Sequence, residues 1–278
     1  MFKDRRLIIA TKHKKETVIA PLLQDGLGVV CFTDTTYDTD FFGSFSGEIE
    51  RINDPLTTLR EKCLKAMEIN HCDLGVASEG SFGTHPSLHF VSADDELLIF
   101  IDKINNLEIV VRELSLNTNF NAKYISSKDE LLGFAEGIGF PQHGLILKKS
   151  KEDIQDVYKG ITDENILIDT FDYLLNKYNQ VFAETDMRAL YNPTRMSVIE
   201  TATKKLVDKI KSTCPKCSTP GFGITEVKRG LPCSWCSHPT DSLLSHIYEC
   251  EKCNYSKEEM YPNNKMKEDP MYCNYCNP

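Results

Sequence analysis

The spacing of apolar residues along the first 212 positions alternates between the two-residue period of strands and the 3.6-residue period of helices. Asp54 and Pro55 suit the N-cap and the first position of a helix that should run to His71. Further helices are expected at 128–138, 163–178 and 193–212, and strands at 6–11, 29–32, 74–77, 96–102, 107–113, 144–147 and 181–183. Because strands and helices alternate, the predicted fold class is an α/β domain with a mixed, largely parallel sheet.

In one segment of this domain the apolar residues follow neither the strand period nor the helix period. Residues 38–51, DTDFFGSFSGEIER, are rich in turn-forming residue types. They predict a long loop with a functional or structural role. Its acids Glu48 and Glu50 could complete a cation site or could simply be solvated.

The cysteines mark a second domain. Eight of the eleven lie in the last 66 residues, so a domain at 213–278 is expected to follow 1–212. They form four Cys-x-x-Cys pairs: Cys214/Cys217, Cys233/Cys236, Cys250/Cys253 and Cys273/Cys276. Fifteen residues separate the first two pairs and nineteen separate the last two, which is typical of four-thiolate zinc sites.

Two structural zinc ions in two consecutive ribbons are the simplest assignment of these pairs. Joining the first pair to the third and the second to the fourth would satisfy the count equally well. Iron is the minor alternative, since four thiolates also suit it. Apolar residues are few in this tail, so bound metal should supply most of its folding free energy. Cys31, Cys63 and Cys72 remain as expected core residues.

Charge argues against several functions. The chain carries 32 basic and 41 acidic residues, a net charge of −9, which disfavours binding nucleic acid through its phosphates. Residues 213–278 are acidic as well, and each four-thiolate zinc site would add two negative charges. The aromatic residues of this tail are therefore expected to pack the ribbons or a protein partner rather than stack on bases: Trp235, Tyr248, Tyr272 and Tyr275. No apolar run suits a signal peptide or a membrane span, so a cytoplasmic protein without a membrane partner is expected.

Three polar clusters are candidates for chemistry in the first domain. In the first, Thr11, His13, Lys14 and Lys15 follow a predicted strand and precede a helix. Backbone amides and the positive helix end at such a junction bind anions, so these side chains are candidate phosphate ligands. His13 could also act as a general base. The alternative is that they are ordinary basic residues at the start of a surface helix.

The second cluster is Ser78-Glu79-Gly80-Ser81, at the expected end of a strand. A carboxylate at the C-terminal edge of an α/β sheet is a common place for substrate or Mg²⁺. Glu79 is therefore a candidate catalytic residue, and Ser78 and Ser81 are candidate phosphate ligands. The alternative is that these residues form a turn in which the glutamate is exposed and has no functional role.

The third cluster surrounds a strand-to-helix turn. Arg188 and Arg195 could bind phosphate, while Asp186 could orient a metal ion or water as a second catalytic residue. Opposite charges this close together also form structural ion-pair networks that lock a turn.

Several stretches together resemble a bacterial family of unknown function, domain-of-unknown-function family 6671, over nearly the whole chain. They are DTDFFGSFSGEIER, ASEGSFGTHP, RELSLNTNF, GFPQHGLIL, ETDMRALYNPTRM and the four cysteine pairs ending in CNYCNP. This resemblance implies no particular activity.

A more distant resemblance is to the inosine/xanthosine triphosphatase fold, whose phosphate loop reads Thr-x-Asn-x-x-Lys. Thr11 matches the threonine, while His13 stands at the asparagine and Glu16 at the lysine position. Glu79-Gly80 matches the acid-glycine step of that fold. The resemblance implies that the first domain binds a phosphorylated small molecule such as a nucleoside triphosphate, and hydrolyses it with Mg²⁺.

Two functions of different classes follow from these features. In the first, the α/β domain binds and hydrolyses a phosphorylated small molecule. Glu79 helps to hold Mg²⁺, while Thr11 and Lys14 or Lys15 hold the phosphate. In the second, the protein is a non-catalytic zinc-ribbon scaffold that binds a protein partner through an exposed apolar patch. Nucleic-acid binding is the least favoured function because of the charge.

Overall fold

The computed structural model describes residues 1–34, 54–152 and 155–278. The predicted loop 38–51, with Glu48 and Glu50, lies outside the described residues. The chain divides into two units, Met1–Val207 and Asp208–Pro278, and each is described by itself.

A five-stranded mixed sheet forms the first part of the α/β unit. Its strands are β1 (Arg6–Ala10), β2 (Val30–Phe32), β3 (Leu74–Thr84), β4 (Ser92–Asp102) and β5 (Leu107–Ser115), in the order β2-β1-β3-β4-β5. Helices α1 (Glu16–Leu27) and α2 (Pro55–Ile69) belong to the same part. Asp54 caps α2 by accepting hydrogen bonds from the amides of Leu56 and Thr57, so the predicted start of this helix is confirmed.

The expectation of a largely parallel sheet is wrong. Strand β1 is parallel to β2 and β3, but β4 is antiparallel to both β3 and β5. The connections at 85–91 and 103–106 are too short for the crossover that parallel strands need, so both joints fold back as hairpins. The predicted hairpin around residues 103–106 is confirmed.

A second, antiparallel sheet completes the α/β unit. It contains β6 (Ala122–Ile125), β7 (Leu145–Lys148), β8 (Tyr158–Ile161) and β9 (Val181–Thr185), in the order β6-β9-β7-β8. Helices α3 (Lys128–Ile138) and α4 (Glu164–Tyr178) pack against it around Phe134 and Phe171. Helix α5 (Pro193–Lys211) follows. Ser127 and Asp163 cap α3 and α4, which confirms both predicted helices.

Strand β3 is longer than its sequence suggests. It was expected to end at Ala77, but Ser78 to Thr84 continue the strand. The reason is that β4 pairs with it along its whole length, whereas β1 ends opposite Ala77. Residues 78–84 therefore extend past the C-terminal end of β1, and Ser78 and Glu79 lie within a strand rather than in a turn.

The C-terminal unit contains one antiparallel sheet, β10 (Gly223–Arg229), β11 (Leu243–Glu249) and β12 (Ser256–Met260), in that order. Of its described aliphatic side chains, Ile210 and Leu231 are the buried ones. So small an apolar core cannot offset the entropy of ordering about 70 residues. Across the described part of the chain, no helix is both long and apolar enough to cross a membrane.

Candidate functional site

The eight tail cysteines form two groups of four. Cys214, Cys217, Cys250 and Cys253 make the first group, and Cys233, Cys236, Cys273 and Cys276 make the second. In each group the four sulfur atoms lie within 4.8 Å of one another. These are the groups that could hold two zinc ions.

The sulfur spacing fits tetrahedral zinc. Four thiolates at a Zn–S distance of about 2.3 Å have sulfur atoms about 3.8 Å apart. The Sγ–Sγ distances are 3.7 Å for Cys214–Cys253 and 3.6 Å for Cys217–Cys250. In the second group they are 3.9 Å for Cys233–Cys276 and 3.6 Å for Cys236–Cys273. All four positions are taken by sulfur, as in structural rather than catalytic zinc sites.

Each Cys-x-x-Cys pair lies on the same kind of tight turn. The residue after the second cysteine donates its amide to the carbonyl of the first, at 2.8 Å for Ser218 and 3.0 Å for Ser237. Both residues have left-handed φ angles, 58° and 60°. Amides also point at sulfur, with the Trp235 nitrogen 3.4 Å from Cys233 Sγ. Contacts of this kind favour the thiolate, and the Thr219 hydroxyl lowers the pKa of Cys217 to about 6.

The simplest assignment from sequence, two consecutive ribbons, is wrong, and the interleaved alternative is correct. The sheet explains why. Gly223 at the start of β10 pairs with Glu249 at the end of β11, which brings the first cysteine pair to the third. Arg229 at the end of β10 pairs with Leu243 at the start of β11, so the second pair leaves from the opposite end. The two cysteine groups therefore lie at opposite ends of the sheet formed by β10, β11 and β12.

A second candidate site is a buried charged cluster in the α/β unit. On one face of the sheet, Lys15 Nζ donates to Ser78 Oγ at 3.0 Å, and Arg195 Nε donates to Glu96 Oε1 at 2.6 Å. Arg195 also donates to the Met187 carbonyl at 2.6 Å. All of these side chains are buried, and Arg195 and Glu96 are 0 % exposed. Four of the groups therefore come from separate parts of the chain: the start of α1, β3, β4 and α5.

Gly80 makes room for the Arg195–Glu96 pair. It lies opposite Glu96 in the β3–β4 register. A Cβ atom at this position would collide with Glu96 Oε1 and lie 2.7 Å from the nearest guanidinium nitrogen of Arg195. The guanidinium also lies 5.0 Å above the Phe82 ring, two residues further along the same strand face. The packing of the Arg195–Glu96 pair therefore requires glycine at position 80.

The other face of β3 carries Glu79. Its Oε2 atom accepts from Lys62 Nζ of α2 at 3.3 Å, and the same nitrogen lies 3.3 Å from the Ser78 carbonyl oxygen. Lys62 and Glu79 are 7 % exposed. The predicted catalytic acid is therefore a member of a buried ion pair beside the cluster.

Asp94 differs from the other acids of the cluster. It is 0 % exposed, and in the described part of the chain neither carboxylate oxygen has a hydrogen-bond partner. Burial, followed by repulsion from Glu96, raises the pKa of Asp94 to about 8. Burial, helped by Arg195, lowers the pKa of Lys15 to about 7. Two groups shifted this far toward neutral pH are a mark of functional sites.

These shifts predict the pH dependence of stability in the absence of divalent cations. Asp94 ordinarily has a pKa of 3.8, so below about pH 8 the folded chain holds its proton more tightly than the unfolded chain. The free energy of unfolding should therefore fall as pH rises from about 4 to about 7. Lys15 ordinarily has a pKa of 10.5, so its contribution should rise from about pH 8 to about pH 10.

Urea unfolding at a series of pH values tests this, with Asp94→Asn and Lys15→Met as the matched variants. Compared with the unmodified chain, Asp94→Asn should lose the acidic slope and Lys15→Met the alkaline slope. Identical curves for all three proteins would contradict the assigned shifts.

The structure places three of the site residues expected from sequence, Lys15, Ser78 and Arg195, in the cluster, and Glu79 lies on the opposite face of β3. Thr11 donates instead to the adjacent Lys12 carbonyl, at 3.0 Å. His13 precedes α1 with a left-handed φ angle of 68°, and Ser81 lies opposite Asp95 on the same face of β3 as Glu79. Lys14 lines a pocket of about 380 Å³ between the starts of α1 and α5.

Asp186 and Arg188 pair with each other outside the cluster. Arg188 Nε donates to Asp186 Oδ1 at 2.9 Å, and the Gly160 amide donates to Asp186 Oδ2 at the same distance. The Arg188 guanidinium also lies 4.6 Å from the centre of the Tyr191 ring. This is the arrangement of an ion pair that locks the turn after β9.

Asp94 and Glu96 are the residues of the candidate site that sequence reasoning missed. A signal was present, because the two-residue period of the predicted strand, traced back from Leu98, places both acids on its apolar face.

A family model described as "Domain of unknown function (DUF6671)" matches residues 62–278. The chain belongs to this family. The matched part of the DUF6671 chain contains all eight tail cysteines and, from the charged cluster, everything except Lys15. The resemblance noted from sequence is thus confirmed from residue 62 onward. A comparison with curated proteins finds no match.

Proposed function

We propose that the α/β unit binds a phosphorylated small molecule at the buried charged cluster. The observation that carries this proposal is the placement of Lys15 and Arg195 on one face of β3 and β4, where they bind Ser78 and Glu96 just past the C-terminal end of β1. Ligands of α/β proteins commonly bind outside the C-terminal ends of parallel strands. Lysine and arginine are the side chains that recognise phosphate, and Lys15 stands at the N-terminus of α1.

The charge balance favours phosphate that arrives together with a cation. On the cluster face two cationic side chains, Lys15 and Arg195, lie with two carboxylates, those of Asp94 and Glu96, so the cluster has no excess positive charge when all four are ionised. A bare phosphate would add two negative charges to a buried site, which is costly. A phosphate bound as its magnesium complex avoids most of this cost.

The proposed activity is hydrolysis of a nucleoside triphosphate. The sequence resemblance of residues 11–16 and Glu79-Gly80 to inosine/xanthosine triphosphatases supports this choice of substrate. When bound, Mg²⁺ would neutralise phosphate charge and activate water. Lys15 and Arg195 would hold phosphate oxygens, while the Lys62–Glu79 pair would stabilise the opposite face of β3.

The test uses the zinc-loaded full chain with Mg²⁺ and a panel of nucleoside triphosphates, diphosphates and sugar phosphates. At least one compound should raise the unfolding temperature, and phosphate release should fall at least about tenfold in Lys15→Met, which removes one charged phosphate contact. Lys65→Met is the matched control, because Lys65 is exposed on α2 and pairs with Glu68. The proposal fails if no compound shifts the unfolding temperature, or if Lys15→Met behaves like Lys65→Met.

Protein binding through the C-terminal unit is the second candidate. It is favoured by large exposed side chains around the second cysteine group: Trp235 at 80 %, Met271, Tyr272 and Tyr275. The His238 and Tyr275 rings stack 4.1 Å apart beside this group. For a partner identified by crosslinking from position 235, Trp235→Ser should weaken binding at least about tenfold. Val227→Ser, an exposed position on β10, should leave it unchanged.

A further inference from the structure

We infer that Asp94 and Glu96 form a binding site for one divalent cation of the Mg²⁺ class, located within the charged cluster. Neither residue was expected as a metal ligand from sequence. The inference deepens the proposed function and rests on it for its purpose, since it supplies the cation that accompanies the phosphate. It is tested with the metal alone.

The first argument is the state of the carboxylate oxygens. Both oxygens of Asp94 and the Oε2 atom of Glu96 are buried and lack a hydrogen-bond partner among the described residues. Leaving buried acceptor atoms without a hydrogen-bond partner destabilises the folded state, so such atoms call for a ligand. A bound cation would satisfy all three oxygens at once.

The second argument is their placement. Asp94 and Glu96 are two residues apart on β4, so their side chains leave the same face of the sheet. On the neighbouring strand they lie opposite Phe82 and Gly80, and the absence of a side chain at Gly80 makes room for the Glu96 carboxylate and its Arg195 partner. Arg195 Nε donates to Glu96 Oε1 and thereby fixes the orientation of the carboxylate. The Oε2 atom of Glu96 is then available to a metal ion.

The third argument concerns the kind of ion. Both ligands are carboxylates, which are hard oxygen donors that suit Mg²⁺, Mn²⁺ or Ca²⁺ rather than zinc. Among the described residues, groups of three or more candidate ligands occur at the two cysteine groups and not here. Ca²⁺ takes six to eight oxygen ligands, whereas Mg²⁺ is commonly held by one or two carboxylates with water and phosphate. Two carboxylates therefore favour Mg²⁺ or Mn²⁺.

Protons compete with the cation for Asp94. The charged groups on its own face are Glu96 on β4, Arg195 on α5 and Lys15 at the start of α1, and Asp95 acts on it from the opposite face of β4. With its pKa raised to about 8, Asp94 is largely protonated at neutral pH. Cation binding should therefore release a proton and should tighten as pH rises from about 6.5 to about 8.5.

The experiment is a titration of the zinc-loaded full chain with Mn²⁺, in which electron paramagnetic resonance measures the concentration of free ion at each step. One Mn²⁺ per chain should bind and be displaced by Mg²⁺. Asp94→Asn and Glu96→Gln should each weaken Mn²⁺ binding at least about tenfold, as expected when a charged ligand is lost. Asp95→Asn is the control, because Asp95 pairs with Arg112 and is directed away from the cluster face.

Folding of the variants is checked by circular dichroism, and Asp94→Asn should be at least as stable as the unmodified chain without cation. The inference is overturned if Mn²⁺ does not bind, or if Asp94→Asn and Asp95→Asn bind it equally. Binding of Mn²⁺ without any response to phosphorylated compounds would uphold the cation site and reject only the proposed function.

Discussion

Removal of zinc should unfold residues 208–278. Among the described aliphatic residues of this unit only Ile210 and Leu231 are buried, so metal–sulfur bonds at the two cysteine groups would take the place of a core. Structural zinc contributes roughly 10–16 kcal/mol to the folding of small domains. After treatment with a strong chelator, limited proteolysis with mass spectrometry should show cleavage throughout 213–278. Protease resistance of the tail after complete zinc removal would contradict this.

The pairing of the cysteines gives the sharper form of this prediction. Replacing the first and third pairs with serine should leave one zinc ion per chain, because the second group stays complete. Replacing the first and second pairs should leave none with a full set of thiolates. Elemental analysis counts the metal in both variants. Consecutive ribbons would give the reverse result, so the two variants control for each other.

Arg195→Met should be the most destabilising single substitution in the charged cluster. It leaves the Glu96 carboxylate buried without its cationic partner, and breaking a buried pair in this way costs about 3–5 kcal/mol. The free energy of unfolding in urea measures the loss. Arg112→Met, which breaks an exposed pair with Asp95, should cost less than about 1 kcal/mol.

The double variant Arg195→Met with Glu96→Gln separates charge from packing. Because it removes both charges, it should recover a large part of the stability lost in Arg195→Met. Equal losses in Arg195→Met and Arg112→Met would show that the buried pair does not stabilise the cluster.

Local signals explain which parts of the fold could be predicted. Asp54, Ser127 and Asp163 each cap a helix through contacts with the next few residues, so sequence places those helix starts well. Strand direction and length depend on partners far along the chain. For this reason the sheet has more antiparallel pairs than the sequence predicts, and β3 continues past its predicted end at Ala77.

The same distinction applies to the sites. The Cys-x-x-Cys turns are local, so the eight metal-ligand candidates could be named, but their pairing depends on the register of β10 with β11. The proximity of Lys15 and Ser78 could be predicted because β1 and β3 are neighbours whose C-terminal residues meet at one edge. Asp94 escaped notice because an acid on the buried face of a strand contradicts the usual pattern of burial.

Anomalous X-ray scattering from crystals of the zinc-loaded chain, grown with Mn²⁺ and a non-hydrolysable nucleoside triphosphate, tests the shared cation and phosphate site most directly. We expect the manganese peak between the carboxylates of Asp94 and Glu96, and a phosphate oxygen within hydrogen-bond distance of Lys15 Nζ. A manganese peak or a nucleotide phosphate located away from these three side chains would contradict it.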